Sequence, residues 1–150
     1  MKKFRFKLDT LLKVTRMNKE QAQVALALAV REQEEAREQL QEYLREMAQG
    51  QQDYAELTGE GKTISLGRLT TFNSFFNWKR EQIEAQMRLL LAKQTARQQK
   101  LQELVAVMNK LKSIEQLREK RLRQYMAELL QEEQKQLDEI GGQLYFRSQG

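Results

Sequence analysis

Apolar residues along this chain recur at alternating intervals of three and four. In the first half the spacing picks out Leu12, Thr15, Lys19, Ala22, Leu26, Ala29, Gln33, Ala36, Leu40, Tyr43, Met47, Gly50, Tyr54 and Leu57. That is a sustained heptad pattern, which draws one stripe along an α-helix. Ala22, Ala29 and Ala36 are small enough to let a partner helix approach closely. The second half carries a similar track through Ile83, Met87, Leu90, Gln94, Arg97, Leu101, Leu104, Met108 and Leu111. Near Ile114 and Leu117 the stripe drifts to a neighbouring face, returning at Leu122, Tyr125 and Leu129, as happens where residues are inserted into a heptad run. Polar residues in or beside the stripes (Gln33, Gln94, Arg97 and Arg118) cost stability and can fix the register.

Between the two tracks lies LTGEGKTISL, residues 57–66. Its Gly61-Lys62-Thr63 resembles the end of a phosphate-binding P-loop, but that motif needs an earlier glycine where this chain has Glu56, and a buried strand leading in. The preceding residues are rich in Gln, Glu, Ala and Leu, which favour helix. The glycines instead supply backbone angles that helices forbid, and Ser65 or Thr63 can cap a following helix. A short link of this kind makes its two helices antiparallel neighbours. The sequence thus predicts an all-α fold, a long antiparallel two-helix coiled coil or helical hairpin. It forms a single domain with helices over about 8–57 and about 66–140, a bend over about 58–65 and a frayed tail from about 141. With the bend near Gly61, Leu12 falls opposite Leu111, and the second helix outruns the first.

Composition narrows the possible functions. Charged residues make up 31% of the 150, and the mean hydropathy is −0.77, too polar for an ordinary globular core. The chain has no Cys and no His, which removes disulfides, thiolate nucleophiles, zinc sites and imidazole acid–base chemistry. No apolar run approaches the roughly 20 residues that span a bilayer, and the basic start, MKKFRFKLDTLLKVTR, lacks the apolar core of a secretory signal. A cytoplasmic protein is the simplest reading. A two-helix coil offers no enclosed pocket for catalysis, so carboxylate groups such as Glu32, Glu34, Glu35 and Glu38 read as solvated helix faces. No catalytic residue, cofactor or metal site is expected.

The net charge of +5 is unevenly placed. Lys2, Lys3, Arg5, Lys7, Lys13, Arg16 and Lys19 face only Asp9 near the start, whereas Glu128, Glu132, Glu133, Asp138 and Glu139 dominate near the end. Oppositely charged ends point to contacts with partners or with each other. Alternating Phe and basic residues in KKFRFK suit an anionic membrane or nucleic acid, although the mixed charges elsewhere argue against both. Just after the bend, TFNSFFNWKR places Phe72, Phe75, Phe76 and Trp78 within one short stretch. At about 100° per residue they cannot all face one partner helix. Phe72 and Phe76 share the inward face, leaving Phe75 and Trp78 for local packing over the bend or for docking.

Two further stretches bear a resemblance. FRFKLDTLLKVTRMNKEQAQVALALA (residues 4–29) carries Phe4, Phe6, Leu8, Leu11 and Leu12 in a Phe-x-Phe-x-Leu-x-x-Leu-Leu arrangement, and LREKRLRQYMAELLQEEQKQLDEI (residues 117–140) carries Glu133, Gln134, Lys135, Leu137, Asp138 and Glu139. Together they resemble the FliJ family of flagellar type III export proteins. The resemblance implies a coiled coil similar to the central stalk of rotary ATPases and a non-enzymatic role in flagellar export. It further implies insertion into the hexameric export ATPase ring, promotion of ring assembly and activity, and coupling to the cytoplasmic domain of a membrane-embedded export gate. Contacts with an ATPase regulator and recycling of export chaperones also follow, at the inner face of the cell membrane beside the flagellar basal body, with no nucleic acid or small-molecule substrate. By analogy with a stalk, Lys2, Lys3, Arg5, Lys7, Lys13, Arg16, Lys120, Arg121 and Arg123 are candidate ring contacts. Phe72, Phe75, Phe76, Trp78 and Lys79 are candidate gate contacts, in a segment more aromatic here than the family pattern. Competing readings are the equivalent stalk of an injectisome, and a self-associating scaffold or membrane-surface adaptor.

Overall fold

A computed structural model describes residues 3–149 and consists of two helices, α1 (Asp9–Leu57) and α2 (Leu66–Gln149), with no strand among the described residues. The absence of proline and the abundance of Ala, Leu, Gln, Glu, Lys and Arg allow both to run uninterrupted. Asp9 sits in the first turn of α1, where its charge complements the helix dipole, and its amide donates to the Phe6 carbonyl at 3.1 Å. At the other end the Thr58 hydroxyl donates to the Tyr54 carbonyl at 2.6 Å and the Lys62 ammonium to the Glu56 carbonyl at 2.7 Å. The Tyr54 carbonyl, which already accepts the Thr58 amide, and the Glu56 carbonyl at the end of α1 thereby gain side-chain donors, one of them a cation.

The chain then reverses at Gly61, whose φ of +77° lies in the left-handed region, conformational space that costs L-residues energy. The Ser65 hydroxyl accepts the Arg68 amide at 3.2 Å, capping α2 as its position had suggested. Lys62, the lysine of the P-loop-like triplet, is thus committed to closing a helix end. Neighbouring groups across the reversed helices confirm the antiparallel sense: the Gln86 amide donates to the Ala36 carbonyl at 2.9 Å, Lys93 to Glu32 at 3.1 Å and Arg97 to Gln33 at 3.0 Å. Residue numbers rise along one helix as they fall along the other.

Contacts group the chain into two units, one from Gln21 to Leu104 and one made of the chain up to Glu20 together with Val105 onward. In the first, Ala29, Ala36 and Gly50 are buried at the seam. In the second, Leu12, Leu111 and Ile114 form an apolar cluster with Phe6 against it. Leu12 therefore meets Leu111, as the position of the bend predicts. Thr15 is also buried there and satisfies its hydroxyl by donating to the Leu11 carbonyl at 2.7 Å, while Arg16 reaches Glu115 at 3.5 Å. The α1 stripe follows the sequence pattern closely from Leu12 to Tyr54.

The α2 stripe differs. Ile83, Leu90, Leu104 and Leu111 face inward as expected, but the alternate positions are Gln86, Lys93, Lys100 and Val107, while Met87, Gln94, Leu101 and Met108 are exposed. The heptad is shifted at every second position because the phase is set by Leu69, Phe72, Phe76 and Lys79 near the bend and then holds through Leu111 and Ile114. Lysine is tolerated at such positions because its aliphatic stem can pack while its ammonium reaches a carboxylate on the neighbouring helix, as Lys93 does with Glu32. The slip near Ile114 and Leu117 is real, with Leu122, Tyr125 and Leu129 half-buried beyond it. Its cause is a change of partner, since the non-helical residues 3–8 take over from α1. α2 also continues through Gly141-Gly142 to Gln149, past the predicted stop near 140; two glycines cost about 2 kcal/mol of helix propensity but do not end it.

The shifted phase makes a direct prediction. Leu111→Ala should destabilise the protein by about 2–5 kcal/mol, whereas Met87→Ala should cost less than about 1 kcal/mol, both read from urea unfolding followed by circular dichroism. Equal losses would restore the register in which Met87 lies inside.

Candidate interaction surfaces

Residues 3–8 lie along α2 and with it form an open groove of about 1100 Å3. Phe4, Phe6, Leu8, Leu117, Tyr125 and Leu129 supply apolar walls; Lys3, Arg5, Lys7 and Arg121 supply positive charge, and Glu128 and Glu132 lie toward the far end. The segment is held by its alternate residues. Phe6 packs on the Leu12 cluster, and the Phe4 ring lies 5.7 Å from that of Tyr125, with the Arg118 guanidinium 5.7 Å from the Phe4 centroid. With period two, anchoring Phe4 and Phe6 turns Lys3, Arg5 and Lys7 away to solvent.

Of the cations the sequence nominates, the structure thus gathers Lys3, Arg5, Lys7 and Arg121 around one groove. Lys13 is exposed and pairs with Asp9 at 3.4 Å; Arg16 pairs with Glu115, and Arg123 with Glu119 at 3.8 Å. Lys120 is exposed on α2. Lys2 lies outside the described residues. Arg118, a seam residue in the sequence pattern, lies over Phe4, a contact that appears only once residues 3–8 are placed along α2.

The aromatic stretch after the bend is organised around a buried charge. Lys79 is only 1% exposed. Its ammonium is paired with Glu46 and bonded to Gln82 Oε1 at 2.9 Å, and lies 4.6, 5.2 and 5.6 Å from the ring centroids of Trp78, Tyr43 and Phe75. Such faces attract a cation through their quadrupoles. Phe72 and Phe76 pack inward against Tyr54, with centroids at 5.4 and 5.9 Å. Phe75 is not left outside: its ring covers Gly50, and a Cβ there would collide with it. Among the gate candidates only Trp78, 54% exposed, offers much surface, and Lys79 is enclosed within its own chain. The sequence showed the aromatics but not Tyr43, Glu46 and Gly50, which belong to the other helix and meet them only through register.

No group of His, Cys, Asp or Glu among the described residues could hold a metal ion, and no described helix is long and apolar enough to cross a membrane. A family model described as flagellar FliJ protein matches residues 4–150, nearly the whole chain.

The chain belongs to the FliJ family.

Searches of curated proteins and of solved structures returned no match. Membership of the FliJ family makes the chain a non-enzymatic component of the flagellar protein export apparatus, and its antiparallel helical fold agrees with the expectation drawn from the two terminal motifs.

Three substitutions test the cage. Glu46→Ala should destabilise by about 1–3 kcal/mol because it strips a buried ammonium of its counter-ion. Lys79→Met, which removes the charge and keeps the length, should be neutral or stabilising. Gly50→Ala should cost about 1–3 kcal/mol by displacing Phe75. Thermal unfolding of each variant measures all three, with Trp78 fluorescence reporting whether the cluster has opened.

Proposed function

We propose that this FliJ-family protein acts as a stalk for the hexameric export ATPase, entering the ring with the groove formed by residues 3–8 and α2. The observation that carries this reading is the clustering of Lys3, Arg5, Lys7 and Arg121 beside the exposed walls of an apolar groove. Charge of one sign steers a partner into register, and the apolar walls supply the affinity. ATP hydrolysis belongs to the ring; the chain contributes binding energy that favours the assembled, active hexamer over free subunits. Lys13, Arg16, Lys120 and Arg123 are secondary contacts in this arrangement, since three of them are already paired within the chain.

The aromatic segment couples the ring to the export gate. Trp78 is its accessible residue, with the Lys79 ammonium 4.6 Å from its ring centroid. Contacts with the ATPase regulator and with export chaperones, and a position beside the membrane at the basal body, complete the role. The P-loop-like triplet has no part in it.

The steady-state ATPase rate of the cognate flagellar export ATPase, measured with and without this protein, tests the stalk. Addition should stimulate hydrolysis and shift the ATPase to ring-sized species in sedimentation. Lys3→Glu combined with Arg5→Glu and Arg121→Glu should abolish both effects while leaving helicity unchanged; stimulation that survives this variant would remove the groove from the interface. Trp78→Ala should weaken binding to the cytoplasmic domain of the gate by roughly ten- to thirtyfold, the loss of a typical aromatic anchor, in a titration with the purified domain.

A further inference from the structure

The last part of α2 carries a second apolar stripe that the hairpin does not use. From Leu130 to Gln149 every residue is exposed. Within and just before this segment Met126, Leu130, Leu137, Ile140 and Leu144 are between 52% and 67% exposed. Their spacing of three and four, with Glu133 filling the remaining position, is that of a coiled-coil seam. It is turned roughly a quarter of the helix circumference from Leu122, Tyr125 and Leu129, so it lies beside the groove without overlapping it.

Of the charges of the segment, Glu133 falls within the stripe and Arg147 on its continuation; the others avoid it. Glu128, Glu132, Lys135, Asp138 and Glu139 all lie on the far side of the helix, whereas the positions flanking the stripe are Ala127, Leu129, Gln134, Gln136, Gly141 and Gln143. In coiled coils the flanking positions normally hold the charges that select or reject a partner. Here an otherwise acidic helix has none at the positions flanking residues 126–144, so a second identical helix meets no like charge along those flanks.

We propose that a second copy of this chain covers the stripe, with the two terminal segments of α2 packed antiparallel. The sequence is self-complementary in that direction. Pairing Leu130 with Ile140 of the second copy also sets Met126 against Leu144 and Glu133 against Leu137, and the two-fold axis repeats each pair. A parallel, in-register pair would stack Glu133 on Glu133 inside the seam, which antiparallel packing avoids. It also brings Ala127 opposite Gly141 and Gln136 opposite Gln136, allowing close approach, and places the helix dipoles in opposition. The arrangement is isologous and therefore closes at two copies. The overlap is roughly 28 Å of helix, at the small end of specific interfaces, so a dimer of micromolar affinity is expected. The proposal rests on the face of α2 next to the groove, and its tests do not depend on the stalk reading.

Sedimentation of the full chain from about 1 µM to about 0.2 mM tests it, the range over which an interface of that strength dissociates. The expected result is a concentration-dependent shift from monomer to dimer. Leu137→Glu with Ile140→Glu should leave only monomer, with helical circular dichroism retained because both residues lie outside the hairpin core. Since the chain has no natural cysteine, single thiols report direction. Gln136→Cys should be joined efficiently to its copy by a short bismaleimide, and Gln143→Cys should not. Monomer at every concentration, a dimer indifferent to the double substitution, or equal crosslinking at 136 and 143 would overturn the proposal.

Discussion

Two helices packed side by side have no interior. Each can bury only the strip that faces the other, and every other feature of this protein follows from how that strip is filled. A Leu such as Leu12, 2% exposed, contributes about 1.5–3 kcal/mol by its burial, but few positions reach that depth. Small residues hold the helices close where Ala29, Ala36 and Gly50 lie, and at other layers the seam accepts lysine. The narrow seam also means that any apolar row off its axis stays in water. Met87, Leu101 and Met108 are such a row, and so is the terminal stripe from Met126 to Leu144.

Lys79 shows what a seam of this kind permits. A lysine at a core position of a globular domain would have to shed its charge or find a complete set of partners. Here the partners come from both helices: Glu46 and Tyr43 from α1, Gln82, Phe75 and Trp78 from α2. The arrangement is specific in register, because sliding one helix by a single turn would separate the ammonium from Glu46 and lift Phe75 from Gly50. It fixes alignment near the bend, while Leu12 and Leu111 fix it in the other unit.

The sequence carried the helices, the bend and the antiparallel pairing plainly, because they depend on local signals: heptad spacing, the glycines at the reversal, Ser65 as a cap. It carried α1's stripe residue by residue. It misled on α2, where Met87, Leu101 and Met108 are more apolar than the half-buried Gln86, Lys93 and Lys100. Hydrophobicity alone cannot see a lysine stem packed beneath a paired ammonium, since that depends on Glu32 and Glu46 of the opposite helix. The groove was legible as charge but not as shape, because nothing in the local pattern of KKFRFK says that Phe4 and Phe6 anchor on α2 more than a hundred residues away. The division of labour among Phe72, Phe75, Phe76 and Trp78 was half legible: helical geometry separated the rows, but only Gly50 explains how Phe75 finds shelter.

The segment of residues 3–8 also sets an order of events during synthesis. Phe4 and Phe6 leave the ribosome more than a hundred residues ahead of Leu111, Ile114 and Tyr125, against which they settle. The aromatic layers around Tyr54 and Phe72 join residues much nearer in sequence and close a far shorter loop, so they form first. Residues 4–6 consequently dock later than the layers beside the bend, and until α2 has been made past Tyr125 both phenylalanines are open to whatever else in the cell binds exposed aromatic side chains.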